Sequence, residues 1–146
     1  MALTPYQTVY DAFLAKIEED EWAWADDAAT VEADWKALLD SALAYIKFPR
    51  VNLYEQDTNG FINQLGAQEV QLIANYMKVA WLDRDIHSWE KIRDQYGESD
   101  FSQANYLDKL TKLLETSLKT ADRLQHTYYR APNGSPFQYS KLAGDN

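Results

Sequence analysis

Apolar residues recur at steps of three and four along most of this chain, and this spacing constrains the fold more than any other feature. The first stripe consists of Tyr6, Val9, Tyr10, Phe13, Leu14 and Ile17. Similar stripes follow in four later segments. Such spacing places the apolar side chains on one face of an α-helix. The chain is therefore predicted to be mainly α, a five-helix bundle with a long C-terminal helix.

The first two predicted helices have recognisable ends. Thr4 is expected to be the N-cap of the first helix, with Pro5 at its first position and Gln7 completing a capping box. The apolar face of this helix continues to about residue 19. The second helix is predicted over about 28–46 and ends before Pro49, since a residue that precedes proline avoids the α region.

Three further helices are predicted in the second half. The third starts near Ala67 and ends or bends around 83–85; a shorter fourth covers about 85–96 and closes at Gly97. The fifth starts at Ser102 and is roughly 28 residues long, against a mean of about 11–12 for helices generally. It is expected to be the spine of the bundle. Its inward-facing residues are predicted to be Leu107, Leu110, Leu114, Ala121, Leu124 and Tyr128.

Residues 51–65 are the only candidate β segment. Asn59 and Gly60 favour the positive φ values of a tight hairpin, and an irregular loop is the alternative. The same segment partly resembles a calcium loop. Its twelfth position, however, is Gly66, where a bidentate Glu is needed, so no metal site is predicted.

The end of the chain differs from the rest. Pro132, Gly134 and Pro136 prevent the last helix from continuing, because proline lacks an N–H and glycine destabilises a helix interior. The sequence therefore predicts a helical domain over 1–130 and an extended C-terminal arm over 131–146.

This arm carries apolar side chains that a solvated tail seldom uses. Phe137, Tyr139 and Leu142 suit docking on another chain by strand addition, with side chains in pockets. The alternative is that the arm folds back over its own helices. The residues predicted to bind a portal protein or a neighbouring subunit are Arg130, Pro136, Phe137, Tyr139, Lys141 and Leu142.

The aromatic residues divide into two groups. Trp35, Trp81 and Trp89 fall on helical apolar stripes and are predicted to be core. Others lie outside or at the edges of the stripes, where an aromatic side chain is a candidate for an interface. The interface candidates of the helical domain are Trp22, Trp24, Tyr54 and Phe61.

No motif predicts catalysis or a cofactor. His87 and His126 lack partners at metal-ligand spacing, and the chain has no cysteine and no glycine-rich phosphate loop. The sequence predicts neither an enzyme nor a cofactor. No run approaches the ~18 apolar residues of a membrane span, and the N-terminus does not resemble a signal peptide. A soluble protein made in the cytoplasm is expected.

The net charge of −9 is concentrated at the N-terminus. Residues 1–40 contain ten acids against two lysines, whereas residues 41–146 have a net charge of −1. Such a surface repels the phosphate backbone, so a conventional DNA-binding module is not expected. A solvated face is the simplest interpretation of the acids. The alternative function that they suggest is a small acidic inhibitor that imitates DNA and binds a host protein.

Several passages from about residue 48 onward resemble the small head–tail connector proteins, also called neck or adaptor proteins, of tailed bacteriophages. These passages are Phe48-Pro49-Arg50, Tyr76-Met77-Lys78 followed by Trp81, Asp100 to Asn105, and Tyr128-Tyr129-Arg130 leading to Phe137 to Leu142. None contains diagnostic chemistry, and the acidic N-terminal third contributes little.

This resemblance implies a structural virion protein at the head–tail junction. It implies a homo-oligomeric ring, typically a dodecamer, that lies beneath the portal protein and binds the next neck or tail protein. DNA would pass through the channel without specific binding, and an acidic channel would let it slide. The C-terminal arm would anchor on the portal. Neither catalysis nor a membrane is implied.

Overall fold

The computed structural model describes residues 1–17, 22, 27–96 and 101–129. Within them the chain forms a two-residue strand β1 (Thr4–Pro5), helices α1 (Tyr6–Leu14) and α2 (Ala28–Leu43), a second short strand β2 (Gly60–Phe61), and two long helices, α3 (Ala67–Tyr96) and α4 (Phe101–Tyr128). The mainly helical class predicted from the sequence is confirmed. The predicted count of five helices is wrong, since these residues form four.

The long helices α3 and α4 lie antiparallel. Near one end of the pair Tyr76 contacts Asp122, and towards the other end the rings of Trp89 and Tyr106 lie 5.0 Å apart. With a rise of 1.5 Å per residue, α3 is about 45 Å long. The two helices therefore pack side by side as an antiparallel helical hairpin.

Helix α3 continues through 83–85, where the sequence predicted an end or a bend. Asp83, Arg84 and Asp85 are polar but contain neither glycine nor proline, so they cost the helix little. The side chains of Leu82 and Ile86 on either side are buried, and packing holds this stretch in the helix. The predicted third and fourth helices are thus one element.

The central helix is α3, not the C-terminal helix that the sequence indicated. Among the described residues α3 packs against α1, α2 and α4, whereas α4 packs extensively only on α3. The apolar residues of α3 accordingly cover most of its circumference. Its buried residues include Leu72, Ile73, Ala74, Tyr76, Met77, Val79, Trp81, Leu82 and Ile86.

Thr4 does not cap α1, contrary to the prediction. It lies in β1, where its side chain is buried, accepts a hydrogen bond from the Leu65 N–H (2.9 Å) and donates one to the Asn63 carbonyl (3.1 Å). The N-cap is Pro5, without a side-chain hydrogen bond. The hydroxyl that local sequence assigned to a capping box thus links the N-terminus to the loop before α3.

The predicted hairpin over 51–65 forms only in part. Gln56 and Phe61 make a single antiparallel bridge, and β2 pairs with β1 instead of a long returning strand. Neither Asn59 nor Gly60 has a φ in the left-handed region. The turn is held by Asp57, whose carboxylate accepts hydrogen bonds from the N–H groups of both residues (2.7 and 3.0 Å).

The predicted core is confirmed for some residues and wrong for others. Trp81 is buried, whereas Trp35 and Trp89 are only half-buried. On α4, Leu107 and Leu110 face inward as predicted, but Leu124 is exposed. Close to Leu124 the core-facing position is occupied by a polar residue, Gln125.

Candidate interaction surface

The segment that follows α2 is fastened to the last turns of α4. The side chain of Gln125 accepts a hydrogen bond from the Lys47 N–H (2.7 Å) and donates one to the Tyr45 carbonyl (3.1 Å). Tyr129 adds a third link, since its hydroxyl donates to the Lys47 carbonyl (2.8 Å). These bonds give the exit of α2 a fixed place beside the end of α4.

Arg50 completes this attachment. Its N–H donates to the Tyr128 hydroxyl (2.7 Å), and its guanidinium lies over the Tyr128 ring, 4.0 Å from the centroid. The guanidinium also donates to the Tyr128 carbonyl (2.9 Å), one of the acceptors that a helix leaves unpaired at its C-terminus. A cation at this end of a helix is favourable because the helix dipole is negative there.

Below these contacts lies a buried polar group between α3 and α4. The Tyr76 hydroxyl donates to an Asp122 carboxylate oxygen (2.7 Å) and accepts from Gln125 (2.8 Å). Burial is the main cause that raises the pKa of Tyr76, and the bond to Asp122 acts in the same direction. Gln125 therefore connects the interior of the helical hairpin to the segment after α2.

Phe48 lies within the fastened segment and has an unusual backbone. Its φ is 53°, the only positive φ of a non-glycine residue in the described part of the chain. A bulky residue in this region costs about 1–2 kcal/mol. Phe48 is 56% exposed as a residue, and its ring lies beside that of Tyr129, with 6.5 Å between centroids.

Three aromatic side chains on this side of the molecule are exposed. They are Tyr45 (40% exposed), Phe48 (56%) and Tyr54 (68%), and we call them the aromatic patch. The Tyr45 ring stacks on buried Tyr76 at 5.2 Å, and the Tyr54 hydroxyl reaches the Leu43 carbonyl at 3.3 Å. Exposed aromatic side chains make this side of the molecule a candidate interaction surface.

An open cleft of about 530 Å³ between α2 and α3 continues from Tyr45. Small side chains of α2, including Ala37, Ser41 and Ala44, line one wall. Ala80 of α3 lies opposite them. The surface around Tyr45 therefore combines a concave cleft with exposed aromatic rings.

The interface candidates from the sequence have different positions. Tyr54 is the most exposed member of the aromatic patch. Phe61 is fully buried beneath the Tyr6 ring, so its side chain is not accessible in this conformation. Trp22 is half-buried against Phe13 and Trp35.

The remaining candidates lie outside the described residues. They are Trp24, Arg130, Pro136, Phe137, Tyr139, Lys141 and Leu142. The structure therefore describes the surface next to the start of the predicted arm, up to Tyr129, but not the arm itself.

Sequence reasoning missed Tyr45 and Phe48 as surface residues. Phe48 precedes Pro49, and this signal predicted correctly that the helix stops, but it did not indicate that the ring faces solvent. Gln125 was missed as well. Its place four residues after Ala121 and three before Tyr128, both buried, was the available signal.

Several acidic side chains of the N-terminal third have structural roles. Asp34 binds the Arg84 guanidinium through both oxygens (2.6 and 3.1 Å) and accepts from Trp22 Nε1 (2.7 Å). Asp27 is the N-cap of α2, where it accepts from the Ala29 N–H (3.0 Å). Asp34 and Asp27 therefore help to position helices.

The loop that partly resembles a calcium site binds its own backbone instead. The N–H group of Asn59 is the main cause that lowers the pKa of Asp57, with Gly60 contributing in the same direction. Within the described residues, no cluster of three or more metal-ligating side chains is present. Over the same residues, no helix is both long and apolar enough to cross a membrane.

Comparison of the chain with models of protein families, with curated proteins and with solved structures finds no match in any of the three.

Proposed function

We propose that this chain is a structural protein of a tailed bacteriophage, a head–tail connector that forms a ring beneath the portal protein. The ring would extend the DNA channel and join the capsid to the tail. The observation that carries the proposal is the aromatic patch at the end of α4, directly where the predicted docking arm begins.

The body has the mechanical properties that such a role needs. In the α3–α4 hairpin, α3 is about 45 Å long and packs against α4. Gln125, Tyr128 and Tyr129 fasten the segment after α2 to its end, so the origin of the arm has a defined position. A subunit that holds one partner-binding element rigidly relative to its body can repeat the same contact around a ring.

The charge of the chain agrees with a channel through which DNA passes without being held. A net charge of −9 per copy, repeated around a ring, repels the phosphate backbone. The portal protein and the next neck or tail protein are then the binding partners, and DNA passes through the channel without specific binding.

The test uses the full-length chain with Phe137→Ser and Tyr139→Ser together, beside a chain that lacks residues 131–146. Both changes should abolish capture by the portal protein in a pull-down while circular dichroism still shows a folded helical body. Leu113→Ser is the matched control, since Leu113 is an exposed apolar residue of α4 outside the arm. Electron microscopy of the wild-type mixture should show closed rings on the portal.

Full retention of portal binding by both arm variants would remove the proposal. A small, salt-sensitive one-to-one complex with a DNA-binding protein, and no ring, would support the acidic inhibitor instead.

A further inference from the structure

We propose that Asn59 is a site of spontaneous deamidation, that the pairing of β1 with β2 controls the reaction, and that the product prevents β1 from pairing again. The reactant besides the chain itself is water. The inference is independent of the connector function, because it rests on the contacts between residues 57–61 and the N-terminal strand.

The pair Asn59-Gly60 has the sequence at which an asparagine loses its amide most readily, because glycine has no side chain to shield its N–H. The Gly60 nitrogen loses its proton to hydroxide and attacks Cγ of Asn59. A C–N bond forms, ammonia leaves, and a cyclic succinimide remains. Water opens the succinimide to aspartate or to isoaspartate, in which the main chain runs through Cβ and Cγ and so gains a methylene. The net reaction consumes water and releases ammonia.

The carboxylate of Asp57 opposes the first step of this reaction in the folded chain. One of its oxygens accepts hydrogen bonds from the Asn59 N–H (2.7 Å) and the Gly60 N–H (3.0 Å). Removal of the Gly60 proton would break the second bond and leave a negative charge beside the carboxylate. A nearby like charge disfavours the ionised form of a group. The Gly60 nitrogen is therefore a poor nucleophile while this turn is intact.

The N-terminal strand opposes the backbone rotation that the attack needs. The Asn59 carbonyl accepts a hydrogen bond from the Tyr6 N–H (3.1 Å), and the Gly60 carbonyl accepts one from the Asp57 N–H (2.9 Å). Gly60 is buried, and main-chain atoms of Thr4 lie where a Cβ of residue 60 would be. The succinimide can therefore form only after β1 separates from β2, which is a local opening of the fold.

Isoaspartate at position 59 would prevent β1 from pairing as before. The extra methylene lengthens the main chain by about 1.5 Å directly before Gly60. In the native register Gly60 lies opposite Pro5, and Phe61 lies opposite Thr4, with no spare room around Gly60. The displaced strand would also lose the bonds from the Thr4 hydroxyl to the loop before α3. Deamidation would thus make a transient opening permanent.

The first test measures the rate of deamidation at position 59 in full-length chains, native and in urea, by peptide mass spectrometry in mildly alkaline buffer. All chains carry Asn133→Gln, which removes the other Asn-Gly pair of the sequence. Each native rate is divided by the rate of the same chain in urea, so that effects on the intrinsic chemistry cancel. The native wild type should react at least about tenfold more slowly than the unfolded one, because only the open form reacts.

Two variants should weaken this protection by different routes. Asp57→Ala removes the acceptor of both N–H groups, and Thr4→Ala removes the two hydroxyl bonds that hold β1 to the loop before α3. Each should raise the normalised native rate by about tenfold, the effect expected from the loss of such hydrogen bonds. Asp40→Asn, which breaks an exposed ion pair elsewhere, is the control and should not change the rate. Circular dichroism checks that every chain keeps its helical body.

The second test examines the product. Deamidated protein is separated from the wild type by ion exchange, through its extra negative charge, and assayed for isoaspartate. Asn59→Asp is the matched control, since it has the same charge without the extra methylene. Hydrogen exchange is measured at the amides of Leu3, Tyr6 and Leu65, which bond across the β1 contact. Exchange at these amides should be at least about tenfold faster in the isoaspartate form than in the control.

Equal rates of deamidation in the native and the unfolded wild type would overturn the proposal, because strand pairing would then not control the reaction. A normalised rate that stays at the wild-type value in either Asp57→Ala or Thr4→Ala would overturn it too. So would an isoaspartate form whose three amides exchange as slowly as those of Asn59→Asp.

Discussion

Gly60 lies so close to the backbone of Thr4 that a Cβ at position 60 would overlap the Thr4 carbonyl oxygen and lie 2.8 Å from the Cα of Pro5. Glycine is needed here for space, since its φ is not in the left-handed region. The contact joins β2 to β1 and so places the start of α1 against the loop before α3.

Gly60→Ala should therefore lower the free energy of unfolding by about 2–4 kcal/mol, because the clash is with backbone that cannot move aside. Urea denaturation measures this change. Gly66→Ala is the control, since its Cβ would meet only the flexible end of Glu69, at 2.9 Å. Equal losses in the two variants would contradict the assignment of Gly60 to a close backbone contact.

Asp34→Asn should destabilise the chain in a pH-dependent way. Burial acts to raise the pKa of Asp34, but hydrogen bonds from Arg84 and Trp22 outweigh it and hold the pKa below the ordinary value. Since the folded pKa is below the unfolded one, the carboxylate stabilises the fold above about pH 4, and this contribution disappears as the pH falls through the folded pKa.

At pH 7 we expect Asp34→Asn to cost about 1 kcal/mol, a modest value because both partners are about one-third exposed. In denaturation experiments the free energies of unfolding of wild type and Asp34→Asn should differ less at pH 3 than at pH 7. Asp40→Asn, which breaks only the exposed pair with Lys36, should cost less than about 0.5 kcal/mol. A difference that is the same at both pH values would contradict the assigned role of Asp34.

Gln125→Leu should cost about 2–3 kcal/mol, because the leucine leaves the buried Tyr76 hydroxyl and the partly buried Lys47 N–H without this partner. Hydrogen exchange at the Lys47 amide should become faster than in wild type. Thr120→Ala, at an exposed position of the same helix, is the control. An unchanged exchange rate at Lys47 would show that Gln125 does not fasten this segment.

Phe48→Asn and Phe48→Val should differ in their free energy of unfolding, although both remove the ring. Asparagine accepts the left-handed backbone, so its free energy of unfolding should lie within about 1 kcal/mol of wild type. Valine is β-branched and should cost about 1–2 kcal/mol more. Thermal melts followed by circular dichroism compare the two. Equal stability would mean that position 48 is free to leave the positive φ.

The apolar periodicity predicted the helical class and the approximate starts of α2, α3 and α4, because a stripe at steps of three and four is a local property. The sequence-based prediction failed where residues that match a local signal are placed by contacts with distant parts of the chain. Thr4 had the spacing of a capping box, but its hydroxyl binds residues 63 and 65. Asp83 to Asp85 had the polarity of a helix end, yet neighbours from other elements bury the residues around them.

By itself, then, the sequence determined that this chain folds into helices and roughly where most of them begin. Tertiary structure alone decided that α3 is the central helix, that Gly60 must be small, and that Phe48 faces solvent from a strained backbone beside Tyr129. The physical reason is that helix formation depends on residues a few positions apart. The burial and strain of a side chain depend instead on residues that are distant in the chain and meet only after folding.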